Sequence, residues 1–162
     1  MEQVFYNLVD LLEGQKKIYE DLQALGKLKQ TELVKGSLEV LEGLNKQEEM
    51  LIIQVGRLEE ERFCCTNEII KVYGLEENAP LRELMKAAPV NIQEKLDELQ
   101  KSMIELMTQM EKVNGENIEL IKQSLRFIQF SLDTLTQETQ TTYTATRAMK
   151  VENLTKLLDK KV

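Results

Sequence analysis

Between residues 92 and 113 the chain spaces its apolar side chains by alternating steps of four and three: Ile92, Leu96, Leu99, Met103, Leu106, Met110, Val113. Three unbroken heptads of this kind admit one solution, an α-helix laid along another α-helix, because only the 3.6-residue period keeps such positions on one stripe. The same spacing runs through Val4, Leu8, Leu11, Ile18, Leu22 and Leu25, with Gln15 as the one polar member. Phe5, Leu12 and Tyr19 widen that stripe toward the breadth a bundle needs. It recurs through Leu41, Leu44, Leu51, Val55, Leu58, Cys65, Ile69 and Val72, where Glu48 and Arg62 take two positions of the register. Those two lie about four turns apart, cannot pair with each other, and are expected at the edge of the stripe or against another helix.

Punctuation between these stretches is sparse, with two prolines and seven glycines in 162 residues. Gly36 and Ser37 read as a stop and a new N-cap, and Gly74 ends the second helix. The stretch GLEENAPLRELMKAAPVN is the clear interruption. In it Asn78 and Pro80 open a short helix that stops before Pro89, and Asn91 caps the third long helix. The spacing predicts helices over 2–33, 37–73, 79–87 and 90–137, without a sheet. The expected fold is all-α: an elongated antiparallel bundle of three long helices with a short connecting helix and an amphipathic C-terminal tail. Residues 1–137 are expected as the bundle domain, and 138–162 as a Thr-rich segment followed by an amphipathic helix.

After Asn114 and Asn117 the third long stripe shifts by about four residues, to Ile121, Leu125, Ile128, Leu132 and Leu135. A shift of that size turns the apolar face, so the later half is expected to meet something other than the bundle. QETQTTYTATRAMK comes next, with five threonines between residues 139 and 146. Threonine loses side-chain freedom against the preceding turn, so this run is expected to be only marginally helical by itself.

The chemistry available is narrow. Without histidine the commonest general base near neutral pH and the commonest metal ligand are missing. Cys64 and Cys65 are neighbours inside a helix with no further ligands, and are read as packing residues unaffected by chelation or oxidation. Met103, Met107 and Met110, at helical spacing, are read as core rather than as an adaptable surface. No phosphate loop or nucleophile elbow occurs, so no enzyme and no cofactor is expected. Residues 134–162 hold five basic and three acidic groups, which leaves 16 basic against 25 acidic before them. An acidic body of that kind does not suit nucleic acid, whereas Arg147, Lys150, Lys156, Lys160 and Lys161 suit an acidic protein surface. No apolar run reaches the roughly 18 residues of a membrane span and no signal-peptide pattern opens the chain, which is read as cytoplasmic without membrane insertion.

Two stretches resemble the FlgN family of flagellar export chaperones. LVKGSLEVLEGLNKQEEMLIIQVGRLEEER is similar to that family's second helix at Leu33, Ser37, Leu41, Glu48, Leu51, Leu58, Glu61 and Arg62. NGENIELIKQSLRFIQFSLDTL is similar to its third-helix signature at Asn114, Asn117, Leu120, Ser124, Leu125, Phe127 and Ile128. The resemblance implies a chaperone that binds hook-associated proteins of the hook-filament junction and delivers them to the flagellar type III export gate. In that reading the cargo surface is formed by Ile121, Leu125, Ile128, Leu132 and Leu135 with Tyr143, extended by Met149, Val151, Leu154, Leu157 and Leu158. The Thr-rich run then has a reason, since a tail that orders on its partner exchanges affinity for release. Two other arrangements compete: a tail packed back as a fourth bundle helix, and a coiled-coil oligomerisation module, a homodimer held by residues 92–113, with no export role.

Overall fold

The computed structural model describes the backbone of residues 2–77 and 79–158 and the side chains of 2–77 and 79–136. Four helices follow one another: α1 (Gln3–Lys35), α2 (Leu38–Tyr73), α3 (Leu81–Ala87) and α4 (Val90–Leu158). Among the described residues there is no strand. Gly36 and Gly74 close α1 and α2 with left-handed φ values of 74° and 64°, a conformation that costs any side-chain-bearing residue energy. Ser37 sits at the N-cap of α2 as expected, though its hydroxyl makes no capping bond. Pro80 is the N-cap of α3, and Asn78 lies outside the described residues. Asn91 is not a cap, because α4 is already helical at Val90; the amides of Ile92 and Gln93 instead donate to the carbonyl of Pro89 at 2.9 Å each.

The chain divides into two compact units, Met1–Leu120 and Ile121–Val162. In the first, α1 and α2 form an antiparallel hairpin. The opening half of α4 runs parallel to α1, since its partners advance together: Lys95 pairs with Glu13 at 2.8 Å and Asn117 reaches Gly26 at 2.9 Å. The densest packing lies where α3 closes the base. There Phe5, Leu8 and Leu12 of α1 meet Cys65 and Ile69 of α2, Leu84 of α3, and Ile92 and Leu96 of α4. Tyr73 tilts against Phe5 with ring centroids 5.2 Å apart, a separation at which aromatic pairs attract.

Away from the base α2 buries little. Leu41, Leu44, Leu51, Val55 and Leu58 are half-buried, and Cys65 and Ile69 are its only buried residues. The stripe is where the spacing placed it, on the side of α1, but no third helix covers its flank. Glu48 is held by Lys29 of α1 at 2.8 Å. Arg62 pairs within its own helix, its Nε donating to Glu59 at 2.9 Å.

The cysteines separate. Cys65 is buried and its thiol donates to the carbonyl of Val4, whereas Cys64 is exposed, which corrects the reading of both as core. Adjacent helical residues point about 100° apart, so one narrow contact cannot enclose two of them. Burial, and then the charge of Glu68, pushes the Cys65 thiol above its ordinary pKa. A thiol reagent added to the native protein is therefore expected to label one cysteine per chain, the second reacting only in denaturant. Two labels in the native state would show that the α1–α2 contact opens.

The second unit corrects the expected helix end. α4 continues beyond residue 137 to Leu158, through the threonine run. A helix already nucleated adds residues at small cost, and the hydroxyls just before the run find partners inside it. Ser131 donates to Phe127 O, Thr134 to Phe130 O and Thr136 to Leu132 O, at 2.8 to 2.9 Å.

Candidate functional site

Asn117 marks a change of environment along α4. It is the last buried side chain among the described residues, with its Nδ2 donating to the backbone carbonyl of Gly26. Gly26 eases that approach, since a Cβ there would lie a tight 3.3 Å from Cγ1 of Val113. The Oδ1 of Asn117 has no protein partner. Burying an amide half-satisfied costs about 1–3 kcal/mol, so this contact is a fastening point rather than a source of much stability. The sequence shows the stripe shifting here; the fastening itself depends on the glycine opposite, which spacing along one helix does not reveal.

Beyond this point the apolar side chains are open to solvent. Ile121, Leu125, Ile128, Leu132 and Leu135, all expected to face something other than the bundle, are each exposed. They succeed one another by four, three, four and three. The structure thus brings together five of the eleven predicted site residues on one helix face. The side chains of Tyr143, Met149, Val151, Leu154, Leu157 and Leu158 lie outside those described.

A second apolar side was missed. Phe127 and Phe130 are both 71 % exposed, and at about 100° per residue they project more than a quarter-turn away from the Ile121–Leu135 line. Lys122, Arg126, Gln129, Asp133 and Thr136 form the polar strip between the two. A helix apolar on two sides is one built to be covered. The sequence held the signal, since Phe127 and Phe130 are large apolar residues standing outside the four-three register.

Other chemistry is scarce. Among the described residues no group of three or more His, Cys, Asp or Glu is placed to hold a metal ion. No helix of the described residues is long and apolar enough to cross a membrane. The most perturbed carboxyl belongs to Glu59, held down to about 2, first by the hydrogen bond from Arg62 and then by that from Gln15. Arg62 and Gln15 both donate to Glu59, an ion pair with an amide beside it rather than a nucleophile with its base.

A packed helical unit followed by a helix with two bare apolar sides defines a partner-binding helical protein. The model of the FlgN protein family matches residues 1–161, and the chain belongs to that family. Membership implies a flagellar export chaperone role. No curated protein matches the chain, and no solved structure matches it either.

Proposed function

We propose that the protein is a cytoplasmic chaperone that binds hook-associated proteins of the hook-filament junction and delivers them to the flagellar type III export gate. The observation that carries the reading is the run of exposed apolar side chains from Ile121 to Leu135. Left open, such a surface invites aggregation; covered by an apolar segment of cargo, it protects both partners. Family membership supports the export-chaperone role on which this reading rests. Tyr143, Met149, Val151, Leu154, Leu157 and Leu158 extend this surface along the C-terminal part of the chain, where Arg147, Lys150, Lys156, Lys160 and Lys161 favour an acidic partner surface.

A chain truncated after Gln140 tests that extension. Because the buried side chains among the described residues lie within 4–117, the thermal midpoint is expected to stay within about 2 °C of full length. Titration calorimetry against a hook-associated junction protein is expected to show at least a tenfold loss of affinity. A midpoint lowered by many degrees with binding retained would make the tail a fourth bundle helix and put the cargo site elsewhere.

A further inference from the structure

Asn114, Gly115, Glu116 and Asn117 occupy consecutive positions of α4, and all four are helical. Three of them are poor helix formers. Glycine has the most backbone freedom to lose, and an asparagine side chain competes for the backbone groups that a helix pairs with each other. Gly115 is also the only glycine of α4.

Tertiary contacts do little to offset this weakness. A Cβ added at Gly115 would meet nothing within 4 Å, and Asn114 and Glu116 are exposed. The turn is tied to α1 by a surface bond, in which Nε2 of Gln30 donates to a carboxylate oxygen of Glu116 at 2.8 Å, and by the bond from Asn117 to the carbonyl of Gly26. An exposed bond of the first kind stabilises little, because water offers both groups the same pairing. The second is undercut by Oδ1 of Asn117, which has no protein partner while the turn is closed and regains water when it opens.

The packing around the turn is one-sided. Before it, Leu99 and Leu106 are buried and hold α4 on the bundle. After Asn117, no side chain described through Thr136 is buried, and the first compact unit ends at Leu120. A glycine alone does not create this situation. Gly56 of α2 is equally open, yet residues 52–60 around it include no asparagine, and Val55 and Leu58 beside it are half-buried.

We propose that residues 114–117 are a hinge: in the free chain this turn opens and recloses while the bundle before it and the helix after it stay formed. Opening lets the exposed apolar length of α4 change direction without disturbing the core. No partner enters the proposal, so its outcome is independent of the cargo reading.

Amide hydrogen exchange of the full-length protein, read by mass spectrometry of its fragments, tests it, because exchange follows the open population when reclosing is fast. Relative to unstructured-chain rates, a fragment over 112–121 is expected to exchange at least about threefold faster than fragments over 95–106 and 124–135. Gly115→Ala is expected to slow 112–121 about fivefold, and Asn114→Ala about threefold, the factors by which alanine outranks each residue inside a helix. Both positions are exposed, so neither change disturbs the core. Gly56→Ala gives α2 the same gain and is expected to leave 112–121 unchanged. Exchange over 124–135 as fast as over 112–121 overturns the proposal, since α4 then frays from its end. So does a rate over 112–121 that ignores Gly115→Ala, or one that Gly56→Ala slows equally, which would tie the opening to unfolding of the whole chain.

Discussion

Replacing Leu125 and Ile128 together by lysine is expected to weaken binding of a hook-associated junction protein by about a hundredfold or more, with the thermal midpoint unchanged. Both side chains are exposed on the Ile121–Leu135 line, so no contact within the described fold is lost. Lysine is a good helix former, and the backbone of α4 has no reason to change. In a complex the same positions would be dry. A lysine there either keeps its ammonium from water or holds the interface apart, and each outcome costs several kcal/mol. Phe127→Lys with Phe130→Lys examines the other side of the helix. A loss comparable to that of the first pair would mean that cargo wraps both sides; no effect would confine it to the Ile121–Leu135 line. Isothermal titration with matched circular dichroism reads both quantities. Retained affinity in both double variants would refute this helix as the cargo site.

The opposite pattern is expected at the base of the bundle. Phe5 is fully buried, in a cluster to which all four helices contribute. Phe5→Ala removes a ring that packs on Tyr73 and leaves a void that surrounding helices fill only in part, at a cost of about 3–5 kcal/mol. For a chain of this length that corresponds to a fall of roughly 10 °C in the thermal midpoint. Leu38→Ala serves as the comparison, since Leu38 is 80 % exposed and its loss is expected to cost under about 0.5 kcal/mol. Cargo binding by the Phe5→Ala variant, measured well below its midpoint, should be nearly normal. If Phe5→Ala and Leu38→Ala shift the midpoint equally, stability does not reside in the α3-capped base.

The sequence by itself determined the helices. Four-three spacing, two glycines in the left-handed conformation and a proline-broken connector are local instructions, read along one strand of chain without reference to any partner. Three of the four helices lie within about two residues of where that spacing puts them at either end. The turn of the apolar face after Asn117 was legible for the same reason, as was the exposure of Ile121 and the residues in register with it.

Tertiary structure decided what each stripe meets. Leu41 to Leu58 carry the same signal as Leu96 and Leu99, yet the former are half-buried and the latter buried. The difference is the presence of a third helix on their flank, which periodicity along one helix does not encode. Cys64 and Cys65 were split, one outward and one inward, by the width of the contact. The fastening of Asn117 to Gly26 joins residues 91 positions apart. The threonine run shows the converse. Its low propensity is a local quantity, and it is overridden because the helix arrives already formed.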